Sequence, residues 1–247
     1  MTSLESQVDM TPLDRLRLEK AAADCGFEMT SVTNEDGLTF RSARFPETVL
    51  VRPVGAERFE LRASDASVIE PRDSNGLLSV EGFGSLYTVL RTMAAHARTR
   101  PNRVADEFKK QTAAMPKGTE AERLVVQRVG QGLFRSALLD FWQGRCCITG
   151  LDVPELLRAS HIRPWAKCVT DEQRLDVFNG LLLAPHLDAL FDAGFMTVED
   201  DGAVRLAASL GMSQRQQLGL TGKLVVHALR AEHLKYVGFH RHAVWRD

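Results

Sequence analysis

Residues 145–194 read RCCITGLDVPELLRASHIRPWAKCVTDEQRLDVFNGLLLAPHLDALFDAG, and no other stretch constrains the chain as strongly. A histidine stands in a short apolar run, Ser160-His161-Ile162. The pair Asn179-Gly180 follows, then a strand-like apolar segment over 181–183, then an acidic helical turn with Asp188 and Asp192. Histidine has an ordinary pKa of about 6.5, so near pH 7 it is largely neutral and able to take a proton. Aspartate offers a hard anionic oxygen that suits Mg²⁺ or Mn²⁺. If 184–193 is helical, Asp188 and Asp192 stand i, i+4 and share a face. The amide of Asn179 can cross-link the turn and hold the loop that carries His161. Cleaving a phosphodiester requires a nucleophilic water, help for the leaving oxygen and a positioned phosphate. Histidine, asparagine and carboxylates in this order could build a single-metal site for that chemistry.

Charge is arranged around this stretch. The net charge of −1 excludes a globally basic nucleic-acid binder, yet residues 146–200 hold 4 Lys and Arg against 9 Asp and Glu. The flanks are basic, with 8 against 5 over 101–145 and 7 against 3 over 201–247. An acidic centre suits a hard metal and basic flanks suit a polyanion, although charge blocks are more often solvated faces. The composition, 44% hydrophobic and 26% charged, is that of a soluble globular protein. Glu5, Asp9, Asp14 and Arg15 interrupt the N-terminus and no apolar run nears the ~18–20 residues of a membrane span, so neither a signal peptide nor a membrane partner is expected. The four cysteines form no disulfide framework, and a cytoplasmic location is the default.

The expected fold class is α+β. Residues 1–10 are expected to fray, Thr11-Pro12 to cap a helix over 13–25, and β-prone runs to follow at 27–32, 38–41, 48–54 and 58–62. Residues 63–83 read as loop and 85–98 as a second helix, giving a small α+β domain over 1–100 with an unassigned recognition or regulatory role. Residues 101–118 are expected to be a linker, partly helical. Thr119 and Glu122 form a capping-box pattern that opens a long helix, which Gly130 and Gly132 could divide into two at a bend. Arg128, Gln131 and Arg135 on this helix are candidates to touch DNA phosphates or to brace the site. Glu199-Asp200-Asp201-Gly202 is a hairpin turn, and 224–231 is strand or helix. The histidine-rich tail from His233 onward could supply ligands, but reads better as a docking segment whose basic side chains face solvent or phosphate.

The central stretch resembles the HNH endonuclease family. The matching strings are C-x-T-G at 147–150, LLRASHIRPW at 156–165, RLDVFNGLLL at 174–183 and HLDALFDAG at 186–194. RVGQGLFR at 128–135 and Y-x-x-x-H-R at 236–241 look like their companions in bacterial restriction-type proteins. The resemblance spans about 119–245 and implies a C-terminal ββα-metal nuclease domain over 119–247, a β-hairpin crossed by a helix with one metal between them. It implies His161 as general base, Asn179 as the residue bracing the site and Asp188 as a metal ligand. Many relatives carry Asp immediately before the catalytic histidine, where this chain has Ser160, a poor ligand. The coordination sphere then needs Asp192, His186 or more waters. Arg163 and Arg241 fall within the same strings and join the candidate DNA contacts.

The expectation is therefore an Mg²⁺- or Mn²⁺-dependent enzyme with one ion per site, cutting double-stranded DNA in restriction or phage defence. Double-strand cutting by a single-metal site usually needs two copies, which makes a homodimer an expected assembly. Structural Zn²⁺ is not expected, because Cys146, Cys147 and Cys168 supply no two Cys-x-x-Cys pairs. Ser160 motivates the alternative of a degenerate module that binds nucleic acid without cutting. A third reading is a packed interaction domain with no chemistry.

Overall fold

A computed structural model describes residues 10–34, 36–69 and 73–246. The expected fraying of the N-terminus falls outside these residues, apart from Met10. The fold is α+β, and the chain divides into two compact units, Met1–Arg98 and Thr99–Asp247.

The first unit begins with α1 (Pro12–Asp24), capped as the sequence suggests: the Asp14 backbone N–H donates to the Thr11 hydroxyl, and Pro12 fills the first helical turn. Strands β1 (Met29–Asn34), β2 (Gly37–Arg41), β3 (Val49–Gly55), β4 (Arg58–Ala63) and β5 (Leu78–Glu81) form an antiparallel meander in sequence order. Then comes α2 (Gly82–Arg98). Alternating residues, Leu38 and Phe40, Val49 and Val51, Phe59 and Leu61, point to one face and are buried with Leu18 of α1 and Leu86 and Leu90 of α2. β5 lies inside the stretch that reads as loop; four residues are too few to show a period.

The second unit opens with α3 (Pro101–Thr112), so most of the expected linker is an ordered helix with Ala105 and Phe108 in the core. α4 (Glu120–Phe141) follows behind its Thr119–Glu122 capping box. It is a single helix, which corrects the expected bend. Gly130 is there because the Trp165 ring packs against it: a Cβ at Gly130 would lie 2.7 Å from Trp165 Cη2.

Around α4 are β6 (Arg158–His161), α5 (Asp171–Arg174), β7 (Gly180–Leu183) and α6 (Pro185–Asp192). β6 and β7 pair antiparallel, with His161 opposite Gly180 and Ser160 opposite Leu181. All four β7 residues are buried, since α4 packs behind the hairpin. A Cβ at Gly180 would come within 2.6 Å of the Phe134 ring. β8 (Met196–Val198) and β9 (Val204–Leu206) form a second hairpin around the expected Glu199–Gly202 turn. Next comes α7 (Met212–Gln217). Residues 224–230 hold neither helix nor strand beyond an isolated bridge between Val225 and Ala203.

α8 (Ala231–Ala243) closes the unit. The expectation that its basic side chains face outward is corrected for two histidines: His233 is 0% and His240 1% exposed, inside the core. Among the described residues, no helix is long and apolar enough to cross a membrane.

Candidate active site

A cleft of about 460 Å³ lies where β6 meets α6, bordered by Ser160, His161, Trp165, Asp188, Asp192 and Arg158, among others. His161 ends β6. Its ring stacks on Phe134 of α4 at 3.8 Å between centroids and meets the edge of Trp165 at 5.5 Å. Its Nε2 lies 2.8 Å from the carbonyl oxygen of Arg174. A carbonyl only accepts, so Nε2 carries the proton and Nδ1 keeps its lone pair. Burial holds the His161 pKa down at about 4, against a smaller upward pull from the Arg174 carbonyl. The ring is neutral at physiological pH, with Nδ1 as its acceptor.

Asn179, 0% exposed, determines where His161 sits. Its Oδ1 accepts from the Arg163 N–H at 2.7 Å, and Nδ2 donates to the carbonyls of Gln173 at 3.0 Å and Arg163 at 3.2 Å. Its backbone carbonyl accepts from Ile162 N–H. One amide thus joins the segment leaving His161 to the segment that supplies its carbonyl partner. Arg174 fixes that partner further, donating from its guanidinium to the Cys168 carbonyl and the Asp171 carboxylate.

Asp176 anchors the turn that carries Asn179. It accepts from Phe178 N–H at one oxygen and from the Tyr236 hydroxyl at the other, at 2.8 Å, with the Lys235 ammonium at 3.4 Å. Burial and then the Asp176 charge push the Tyr236 pKa well up, so it stays a hydroxyl donor. Three residues of RLDVFNG, Arg174, Asp176 and Asn179, therefore each hold a part of one loop.

Asp188 and Asp192 stand one turn apart on α6 and line the cleft with Ser160. The Ser160 hydroxyl, almost fully buried, donates to Asp192 Oδ1 at 3.4 Å. Although Asp192 is exposed by area, its carboxyl borders the cleft, where desolvation and then the charge of Asp188 push its pKa up. Two carboxylates that repel each other beside a hydroxyl are a donor set that a small hard cation would neutralise. Mg²⁺ is commonly held by one or two carboxylates, with water and substrate phosphate completing its sphere. The residues present fit such an ion. His186, on the first turn of α6, does not border the cleft, and no group of three or more His, Cys, Asp or Glu with metal-binding geometry occurs among the described residues.

Of the expected DNA contacts, Arg128 and Gln131 are exposed on α4. Arg135 braces instead, donating to the carbonyls of Leu157 at 2.6 Å and Pro154 at 2.7 Å. Arg163 donates through Nε to the Lys167 carbonyl and lies over the Phe239 ring. Arg241 is tied to the β8–β9 hairpin through the Val198 carbonyl and the Asp200 carboxylate. Arg158, absent from the expected set, is exposed at the cleft with no ion pair among the described residues. Its signal was its position, three residues before His161 on the same strand. His240 also borders the cleft, with Nε2 donating to the Phe191 carbonyl and Nδ1 accepting from the Thr197 hydroxyl. Both bonds are used internally and its pKa is held down at about 4 by burial, so it acts as a brace.

An antiparallel hairpin is crossed by a helix, and a neutral histidine and two carboxylates border one cleft. Residues 146–199 match the model of the HNH endonuclease family, which supports an HNH-type domain here and a nuclease-type function in general terms. No curated protein matches the chain. HNH domains bind nucleic acid and generally use a divalent metal, which is the function this domain supports in general terms.

Proposed function

We propose that the chain is a divalent-metal-dependent DNA endonuclease whose general base is Nδ1 of His161. The observation that carries this reading is the His161 Nε2–H bond to the Arg174 carbonyl, which leaves Nδ1 unprotonated on a ring that borders the cleft with Asp188 and Asp192. Nδ1 takes a proton from water as its oxygen attacks phosphorus. The bond from phosphorus to the 3′-oxygen breaks, that oxygen takes a proton from solvent, and a 5′-phosphate and a 3′-hydroxyl are left. Asp188 and Asp192 would hold Mg²⁺ or Mn²⁺, with Ser160 beside them; the ion supplies positive charge for the phosphoryl oxygens and the leaving group. Asn179 holds the base in place through the loop on either side of it. Arg158, exposed at the cleft, would attract phosphate, while the Arg163 guanidinium bonds the Lys167 carbonyl.

Cleavage of plasmid DNA with and without Mg²⁺ or Mn²⁺ tests the proposal, with loss of cutting expected in His161→Ala and Asp188→Ala. Undiminished cutting by pure His161→Ala would overturn the role of that residue. Ser160, in place of an acid, favours a second reading, a module that binds DNA without cutting; titration calorimetry with Mn²⁺ separates them, since that reading expects DNA binding without metal binding. The resemblance to restriction-type proteins supports a place in restriction or phage defence, acting on double-stranded DNA as a homodimer in the cytoplasm. Digestion of modified against unmodified DNA, with the sedimentation mass, tests this part.

A further inference from the structure

We infer that Phe134 of α4 is a positioning residue that holds the plane of the His161 ring, and that residue 180 is glycine to make room for it. The inference rests on the proposed nuclease reading and deepens it, giving a role to the RVGQGLFR string ahead of the hairpin.

The Nε2–H bond to the Arg174 carbonyl selects which nitrogen of His161 keeps its lone pair, but fixes the tilt of the ring only loosely. The torsion that joins an imidazole to its Cβ is broad and roughly two-fold, and a hydrogen bond weakens steeply only below an angle of about 120°. A base must aim its lone pair at one water, so a second contact has to hold the plane. Phe134 supplies it. Its ring lies flat on the imidazole, with centroids 3.8 Å apart and planes 14° from parallel. Phe134 is itself held by burial, and the next residue, Arg135, donates to the carbonyls of Pro154 and Leu157 just ahead of β6. The helix turn that carries Phe134 is thereby tied to the strand that carries His161.

Phe134 reaches the imidazole through the space left at Gly180, the residue paired with His161 across the hairpin. The φ of Gly180 is −146°, extended backbone that any residue adopts, so its conformation does not call for glycine. Room does: a Cβ there would lie 2.6 Å from Phe134 Cζ and 2.7 and 2.8 Å from the two Leu138 methyls. Alanine at this position would press on the ring that faces His161. Consecutive residues thus serve the base in two ways, Asn179 through the loop around it and Gly180 by admitting the aromatic ring.

The test joins single-turnover cleavage of a DNA duplex with Mg²⁺ or Mn²⁺, DNA affinity in EDTA, and NMR of the His161 ring, in wild type, Phe134→Leu and Gly180→Ala. The ring signals are identified by their loss in His161→Gln. In the wild type the His161 ring protons should lie upfield of ordinary histidine positions, as protons over an aromatic face do, and ring-carbon relaxation should report a rigid ring. Phe134→Leu stays apolar but offers no flat face. Its His161 ring should move more and its cleavage rate should fall about 10- to 100-fold, with DNA affinity at the wild-type value. Gly180→Ala should act in the same direction. A folded Phe134→Leu chain that cuts at the wild-type rate, or whose His161 ring stays as rigid, overturns the proposal. So does a parallel loss of rate and DNA affinity, which a general loosening of the fold would give. Where Phe134→Leu does not fold, an unshifted or mobile ring in the wild type overturns the proposal, and a shifted, rigid ring that Gly180→Ala loosens supports it. A wild-type chain that never cuts, with a ring that Phe134→Leu loosens, supports the positioning and refutes the hydrolytic reading.

Discussion

Asn179→Asp is the sharpest test of how the site is held, because it keeps the shape of the side chain and replaces the amide donors with a carboxylate oxygen. In the folded chain Nδ2 faces the carbonyls of Gln173 and Arg163 at 3.0 and 3.2 Å, with Cys168 Sγ at 3.4 Å. A carboxylate would keep the bond from Arg163 N–H and turn an acceptor toward both carbonyls. Removing a donor so that a buried carbonyl is left unpaired costs about 1–3 kcal/mol, so losing both donors costs about 2–6 kcal/mol. A total near 3 kcal/mol is a conservative reading. For a domain of about 150 residues, where 1 kcal/mol moves the melting temperature by about 2–4 °C, Asn179→Asp should melt about 6–12 °C lower. Both released carbonyls belong to the loop that holds His161, so kcat should fall at least tenfold, to order of magnitude, with a smaller change in KM. The assays are differential scanning calorimetry and single-turnover cleavage of a DNA duplex. Melting within about 1 °C of wild type with an unchanged rate would show that Asn179 merely fills space.

Four further outcomes are expected. His161 and His240 both have folded pKa values of about 4 against an ordinary 6.5, so the unfolded chain protonates first as pH falls. Their contribution to stability is full above pH 6.5 and is lost down to about pH 4, by up to about 3 kcal/mol each. Urea unfolding at pH 7.5 and 5 should show this, and His240→Gln should remove about one proton from the dependence; an unaltered dependence contradicts the assignment. Ser160→Asp places a third carboxylate beside Asp192 and should lower the melting temperature in EDTA, with Mn²⁺ restoring more stability than it adds to wild type. An identical Mn²⁺ response in both proteins would place the ion elsewhere. Tyr236→Phe leaves the buried Asp176 without its hydroxyl partner and should cost about 1.5–3 kcal/mol in chemical denaturation. Gly130→Ala should destabilise by about 1–3 kcal/mol despite alanine's helix propensity, because its methyl would press into Trp165; a stabilised variant would show that the contact is soft.

The sequence revealed these elements unevenly. Features written in local chemistry were legible: the Thr11 and Thr119 caps, the Glu199–Gly202 turn, and the order of histidine, asparagine and carboxylates. Features decided by distant partners were not. Gly130 looked like a helix breaker because nothing nearby in sequence announces Trp165, thirty-five residues on. The tail histidines looked like ligands or solvent-facing cations, since their partners Thr197 and Phe191 lie on other elements. The α3 helix did carry a local signal, Pro101 at its start with Val104, Ala105 and Phe108 at helical spacing, masked by the polar residues between them. At the cleft, the local pattern marked which residues gather but not what each does. Arg135 and Arg241 carry the charge expected of DNA contacts yet bond to carbonyls and carboxylates of their own fold.

The placement of α8 has a consequence for the timing of synthesis. Tyr236 holds the Asp176 turn, His240 holds Phe191 and Thr197, and Arg241 holds Val198 and Asp200. Every one of these supports leaves the ribosome after the histidine, asparagine and aspartates that it steadies. A chain whose translation stalls before residue 231 holds His161, Asn179, Asp188 and Asp192 without the clamp that aligns them. The clamp is complete only once α8 has been made, so the order of emergence sets when these side chains become aligned.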